Sequence, residues 1–427
     1  MKVYAFINSS MSGTVQGAYC IGLTVNDVVA VISRQKKGKS SDPYGLCMEA
    51  FMYAGLRLYV HLSLIFTFCI RHCFLPNNFM FSTIVPLVKN KGGDLTDKNN
   101  YRAIALSNAE TKILEMILLQ NTVQHANSDK YQFGFKSRHS TSLCTGVMKQ
   151  TIDYYTSRGS HVFVCFADFS KAFDNVNYWK LFNQLTDDGV PPAIVSLLAY
   201  WYSHQEVSVM WHNIVSQPFL VGNGTKQGGI LSPYLFTRYI KYLLNSITFS
   251  QIGCNIGDLY VNLLAYADDI ALLAPSWNAL QKLISILEGC CKLLDITCNT
   301  KKTVCMVFSP KDRAKIVATN FPPCVLCGQP LQYVSEFRYL GHIITVTLTD
   351  DNDINREIRN LYARTNTLIR RFGRCSHAVK RLLFSTYCTC LYGSALWVNY
   401  SNATLRRFRS CYHRCICLLY TSDAADE

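Results

Sequence analysis

Three acids carry the chemistry this sequence offers. Asp168 ends an unbroken apolar run, Val162-Phe163-Val164-Cys165-Phe166-Ala167. Asp268 and Asp269 stand together between Leu263-Leu264-Ala265-Tyr266-Ala267 and Ile270-Ala271-Leu272-Leu273. Paired acids between short apolar runs have two readings. One is a solvated turn between core strands. The other is a platform of hard oxygens for Mg2+, which takes one or two carboxylates plus substrate phosphates. A further acid at a strand end favours the platform. Three carboxylates converging on one site repel one another unless cations bind, and that arrangement serves two-metal phosphoryl or nucleotidyl transfer.

The elements that must position these acids are legible in the pattern. The runs around Asp268-Asp269 have strand length, so they predict a β-hairpin with the acids at its turn. The 161–167 run predicts a central strand delivering Asp168 to a sheet edge, although a lone acid there could also be a turn residue. Gly222-Asn223-Gly224-Thr225-Lys226-Gln227-Gly228-Gly229 allows close backbone approach to a ligand. A helix over 231–243 follows, with Pro233 in its first turn. Upstream, Asn26-Asp27 predicts the cap of a short helix over 28–33. Residues 58–70 predict a buried helix ended by Pro76 and Asn77-Asn78. That run is interrupted by His61 and falls short of the roughly 20 residues a bilayer needs. A strand is expected at 81–88, and a helix at 107–119 with Ile113, Leu114, Ile117 and Leu118 on one stripe.

Composition sets the frame. Over 427 residues, 49% hydrophobic and only 16% charged content exclude a disordered chain and allow two or three subdomains. The net charge of +14, from 42 Lys+Arg against 28 Asp+Glu, favours a polyanionic partner such as nucleic acid; an anionic membrane surface would attract the same charge. Basic stretches include Arg34–Ser41, read as a phosphate-backbone contact or a solvated run. In the Phe133-Gly134-Phe135-Lys136 segment, aromatic and basic residues interleave as in template-strand contacts; an ordinary surface loop is the other reading. The 19 cysteines are scattered and follow no secretory signal, so they read as reduced intracellular thiols packed as small hydrophobes. Cys324-x-x-Cys327 lacks a second pair at zinc-finger spacing, and Cys411, Cys415 and Cys417 carry the same weak signal.

Taken in order, these motifs resemble the reverse-transcriptase domain of non-LTR (LINE-type) retrotransposons. F-A-D-F-S-K-A-F-D at 166–174 resembles the first palm motif, G-T-K-Q-G-G-I-L-S-P at 224–233 the second and A-Y-A-D-D-I at 265–270 the third. Asn299–Thr303 with Met306-Val307-Phe308 is similar to the fourth, and Phe337-Arg338-Tyr339-Leu340-Gly341 to the fifth, the primer-grip hairpin. I-V-P-L-V-K-N-K-G-G-D at 84–94, N-Y-R-A-I-A-L-S at 100–107 and Q-F-G-F-K at 132–136 resemble finger motifs. The match spans roughly residues 25–345.

The resemblance implies an RNA-directed DNA polymerase of the α+β class: a right-hand polymerase with fingers, a ferredoxin-like palm and a partial helical thumb. It implies fingers with an N-terminal extension over 26–160, palm over 161–345 and thumb-like helices over 346–416, residues 1–25 being unassigned. Asp168, Asp268 and Asp269 would bind two Mg2+ ions, with Mn2+ as an alternative. Lys302 matches a lysine that could protonate pyrophosphate, though Lys301 adjoins it. Lys89 and Arg102 match residues that hold the incoming triphosphate. Phe173 matches the steric gate against a ribose 2′-hydroxyl. Gln227 and Gly228 would lie against the nascent base pair. Phe135, Lys136, Tyr339, Leu340 and Gly341 would contact nucleic acid. Partners would be an RNA template, a DNA primer and dNTPs, not a membrane, and the location intracellular, in a cytoplasmic ribonucleoprotein and the nucleus. Two other readings are a decayed remnant that only binds nucleic acid and a group II intron or retron-type polymerase.

Departures from the family pattern give further expectations. Ala103 replaces the usual proline of N-Y-R-P-I, which should alter a loop's stiffness rather than its chemistry. No endonuclease precedes the polymerase motifs, so the reading frame looks incomplete. In the basic and periodic 356–395 region, Ile358, Leu361, Leu368 and Ile369, with Arg370, Arg371, Arg374, Lys380 and Arg381, suggest thumb-like helices set against a duplex backbone. Residues 417–427 turn abruptly acidic and resemble a translated sequencing adapter, a tail foreign to the protein.

Overall fold

Val162–Ala167 is the strand around which the site is built in this computed structural model. All six of its residues are buried, and it has a strand on either side. The structure describes residues 22–123, 130–212, 214–316 and 318–421. Of the expected foreign tail over 417–427, the stretch 417–421 continues the last helix and the acidic remainder lies outside the described residues. The chain divides into two compact units, each discontinuous in sequence. One takes the chain up to Lys130, with Phe169–Asn245 and Gly289–Thr297; the other takes Tyr131–Asp168, Ser246–Glu288 and Cys298 onward.

In the second unit the strands lie side by side as Gln332–Tyr333, Val304–Phe308, Val162–Ala167, Asp269–Ala274 and Leu263–Tyr266. The last four pair antiparallel, in the order of a ferredoxin-like split β-α-β sheet. Gln332–Tyr333 adds to one edge in parallel. The central strands are apolar throughout because the sheet is covered on both faces. Phe166, Leu264, Leu273 and Met306 belong to one core with Cys144, Met148 and Ile152 of the helix Thr141–Ser157. A second hairpin pairs Glu336–Tyr339 with His342–Thr345. Its loop is Leu340 at φ 46 and Gly341 at φ 83, the two left-handed positions of a type I′ turn. The helices Asp351–Phe372, His377–Tyr387 and Asn402–Thr421 follow. They bury Leu361, Leu368, Phe384, Cys388, Cys411 and Cys415 together, so these cysteines serve as small apolar side chains. Among the described residues every cysteine is a free thiol, and no helix is long and apolar enough to cross a membrane.

In the first unit Phe81–Val88 pairs antiparallel with Tyr101–Leu106 and parallel with Glu206–Trp211. The helix Ala109–Val123 buries Ile113, Leu114, Ile117 and Leu118 as one stripe.

The structure corrects several expectations. The helix at this position is Val25–Ser33, and its cap is Thr24, whose capping box with Asp27 makes Asp27 an interior first-turn residue. The 58–70 run is the helix Leu56–His72, closed by left-handed Cys73. It is not a buried helix: Leu56, Leu64 and Phe68 are 66%, 63% and 56% exposed. The expected 231–243 helix is broken at Ile240 into Ser232–Tyr239 and Lys241–Thr248. Ala103 lies inside a strand opposite Pro86, not in a loop. Lys380 is buried at 2% exposure, so of the basic residues expected on a duplex only Arg370, Arg371, Arg374 and Arg381 face solvent.

Candidate active site

Asp168 is placed by two neighbours as well as by its strand. Its N–H donates to the Thr303 hydroxyl at 3.2 Å, and its carbonyl accepts from the Asn299 N–H at 2.8 Å. The fourth motif thus works on the first through its loop, and Thr303, at 1% exposure, is committed to that contact. On the other side the register pairs Ile270 with Ala167. Continued by one step, it sets Asp269 across from Asp168. Tyr266 and Asp269 close the hairpin, so the loop is Ala267-Asp268 and Asp269 opens the second strand. The acids are therefore split between turn and strand rather than both lying in the turn.

Crowding marks these carboxylates electrostatically. Asp269 is exposed as a residue, yet the protein packed around its carboxyl, followed by the charges of Asp268 and Asp168, pushes it up to about 6. Desolvation raises Asp268 as well, with Asp168 adding to it. Among the described residues no cation pairs with any of the three. Uncompensated hard oxygens of this kind suit a divalent cation. No three acidic, His or Cys side chains among the described residues close on one point. A bound ion would then complete its shell with substrate phosphates and water, as Mg2+ commonly does.

A cleft of about 260 Å³ opens beside Asp168 and Asp269 and is also lined by Lys302, Phe337 and Tyr339. Lys302, not Lys301, is the lysine that reaches it. Phe337 stacks on Phe166 with centroids 4.5 Å apart. Tyr339 is 3% exposed and sits against Phe166 and Cys144, so it forms cleft wall and core rather than an open nucleic-acid surface. The Leu340 carbonyl accepts from the Tyr392 hydroxyl at 2.8 Å, and a Cβ on Gly341 would meet the Tyr392 ring at 2.8 Å. The Q-F-G-F-K segment divides: Phe133 is buried, Phe135 is 54% exposed at φ 61, and Lys136 is half-buried.

The first unit holds the other candidates, described by themselves. Leu87 pairs with Arg102, and the Lys89 N–H donates to the Asn100 carbonyl at 2.7 Å. Exposed Lys89 and Arg102 therefore share one face of a two-stranded ribbon. Asn100 ties the loop between them, donating to the Asn90 and Asp94 carbonyls at 2.9 and 3.0 Å. Phe173 is half-buried and stacked on Phe236, centroids 4.2 Å apart. Gln227 donates to Asp174 Oδ1 at 3.0 Å, and its carbonyl accepts from the Ala105 N–H at 2.7 Å. Gly228 stands at φ 112 with its missing Cβ 2.8 Å from the Ala105 carbonyl oxygen, so no other residue fits there. Asp174, the second acid of the 166–174 motif, is thus bonded to Gln227.

The sequence reading passed over Lys226. It is buried, its Nζ finds no hydrogen-bond partner among the described residues, and it lies 5.0 Å over the Trp201 ring. Desolvation pulls its ammonium down to about 8, against the opposing charge of Glu115. Glu115 in turn accepts the Ile230 N–H at 2.6 Å and fixes the end of the glycine-rich loop. A lysine beside a glutamine in a glycine loop gives no sequence signal that it is buried.

Comparison with known proteins agrees with this geometry. A family model described as reverse transcriptase (RNA-dependent DNA polymerase) matches residues 88–344. The chain is 25% identical over 396 residues to the "Probable RNA-directed DNA polymerase from transposon BS" of Drosophila melanogaster, covering 88% of this chain and 42% of that protein. It is 25% identical over 409 residues to the "Putative 115 kDa protein in type-1 retrotransposable element R1DM" of the same species, covering 91% and 37%. To a "Retrovirus-related Pol polyprotein from type-1 retrotransposable element R2" of Popillia japonica it is 26% identical over 277 residues, covering 64% and 38%. The chain spans about two fifths of the length of these curated relatives.

Proposed function

Because this chain belongs to the reverse transcriptase (RNA-dependent DNA polymerase) family, we propose that it extends a DNA primer on an RNA template as part of a non-LTR retrotransposon. The observation that carries the reading is the pairing of the Asp268-Asp269 hairpin against the strand that leads directly into Asp168. In the reaction the primer 3′-oxygen bonds to the α-phosphorus of a dNTP, the bond to the β-phosphate oxygen breaks, pyrophosphate leaves and the hydroxyl proton passes to solvent. The family generally uses divalent metal ions; here Asp168, Asp268 and Asp269 would hold Mg2+. Such ions, when bound, supply Lewis acidity at the attacking and leaving oxygens. Lys302, on the cleft wall, would meet the developing charge of the pyrophosphate. Lys89 and Arg102, on one ribbon face, suit the triphosphate as paired cations. An intracellular site of action, in a ribonucleoprotein and the nucleus, goes with these substrates.

Extension of oligo(dT) on poly(rA) with Mg2+ tests the reading; no extension by folded protein would overturn it. Phe173 gives a sharper expectation. Phe173→Val should raise ribonucleotide incorporation relative to dNTPs by on the order of 10–100-fold, since removing a steric wall relaxes discrimination of about that size. Unchanged kcat/KM ratios for the two sugars would place the gate elsewhere and leave Phe173 as the stacking partner of Phe236.

A further inference from the structure

The turn that carries Asp268 is held in a conformation its own residues disfavour. Ala267 stands at φ 57, the first of the two loop positions between Tyr266 and Asp269, and Asp268 does not share the positive φ. This is the pattern of a type II′ turn, which favours glycine at that first position. A left-handed residue with a Cβ persists where its surroundings over-determine it.

Here the surroundings are chiefly one side chain. Gln132 is 2% exposed. Its Oε1 accepts the Ala267 N–H at 2.8 Å, and its Nε2 donates to the Ala267 carbonyl at 3.2 Å. Both polar groups of the strained residue are thus held by a single amide. The same Oε1 accepts the Gly134 N–H at 2.8 Å. The backbone before it runs along the edge of the hairpin: the Ala265 N–H donates to the Tyr131 carbonyl at 2.9 Å, and the Phe133 N–H donates to the Ala265 carbonyl at 2.7 Å. Gly134 permits this approach, since a Cβ there would stand 2.4 Å from the Ala267 nitrogen.

We propose that Gln132 is a positioning residue for the metal-binding acids: its amide locks Ala267 in the left-handed conformation and so fixes how the turn presents Asp268. The inference rests on the reading of these carboxylates as cation ligands. Only a carboxamide of this length completes the lock. Glutamate has no donor for the Ala267 carbonyl, and leucine has neither donor nor acceptor. The bland alternative is that Gln132 merely holds the 131–134 segment in place.

The two are separated by a double-mutant cycle read on Mn2+ binding by electron paramagnetic resonance, with single-turnover extension in parallel. The proteins are wild type, Gln132→Leu, Ala267→Gly and the double variant. Glycine adopts the positive φ unaided, so it makes the lock dispensable. Gln132→Leu should weaken Mn2+ binding by on the order of 10–100-fold, the usual effect of losing a supporting partner of a ligand. Primer–template affinity should not change, and the double variant should regain most of the loss. Mn2+ binding by Gln132→Leu equal to wild type overturns the proposal, as does a double variant no better than Gln132→Leu. Should Gln132→Leu fail to fold, Gln132→Glu, which keeps the shape and one acceptor, takes its place in the same cycle under the same criteria. Wild-type protein that takes up no Mn2+ would instead overturn the reading of the carboxylates, and the proposal with it.

Discussion

Asp268→Asn is expected to lower single-nucleotide extension on an RNA template by on the order of 10³-fold, while melting temperature and duplex affinity stay near wild type. The size follows from transition-state charge stabilisation of several kcal/mol at about 1.4 kcal/mol per factor of ten. The selectivity follows from the structure. Asp268 is half-buried at a turn, and among the described residues no cation pairs with it. Desolvation and Asp168 raise its pKa, so the neutral isostere relieves repulsion rather than breaking a bond. Loss of activity with loss of folding would mean that Asp268 is structural. Extension near the wild-type rate would remove it from the metal site.

The largest expected effect on stability lies at Asp353, where the second hairpin of the same unit meets its helices. Asp353 is fully buried. Its carboxylate accepts from Arg356 Nε at 2.7 Å, Trp397 Nε1 at 2.8 Å and the Ile343 N–H at 3.0 Å, and His342 Nδ1 lies 3.0 Å away. Asp353→Ala leaves Arg356, 7% exposed, bonded on that side only to Glu357 and the Tyr392 carbonyl. Removing one partner from a buried charged network of this kind costs about 3–5 kcal/mol, read as a lower midpoint in chemical denaturation. A change under about 1 kcal/mol would fit a solvent-compensated pair and contradict the burial.

The same cluster gives stability a pH dependence. Desolvation opposes charge on His342, but the Asp350 and Asp353 carboxylates, 3.4 and 3.0 Å from its ring nitrogens, outweigh it and raise its pKa above 6.5. Asp350 and Asp353 are held below the usual carboxylate range, their burial outweighed by His342 together with Lys149 and Arg356 respectively. Glu357 faces Arg356 and Arg364 in the same network. The carboxylate contribution is present above 3.8, the unfolded value, and is lost as pH falls through the lowered folded pKa values. The His342 contribution is complete below 6.5 and is lost as pH rises through the raised folded value. His342→Gln should therefore flatten the fall of stability above about pH 6.5, and denaturation midpoints between pH 5 and 9 would show it.

Much of the site was legible because its residues act through local pattern. An apolar run ending in Asp168 and two short runs around Asp268-Asp269 encode strand, hairpin and turn by period alone. The strand at Phe81–Val88 and the stripe of Ala109–Val123 were equally plain, since burial there follows neighbours in sequence. The 58–70 run misled because apolar content predicts a helix but not whether neighbours cover it. Helix breaks such as Ile240, and the burial of Tyr339 and Lys380, depend on partners far away in the chain.

The sequence by itself determined the acids, their strands and their order, because strand, turn and motif are written in runs of consecutive residues. Only the tertiary structure decided what holds them. The Thr303 hydroxyl on the Asp168 N–H and the Gln132 amide on Ala267 are bonds across 135 residues of chain in each case. The Glu115 charge acting on buried Lys226 and the Asp353 network join segments that no periodicity connects. Hydrogen bonds and buried charges are satisfied by whichever group the fold brings within about 3 Å, and sequence spacing carries no record of that distance.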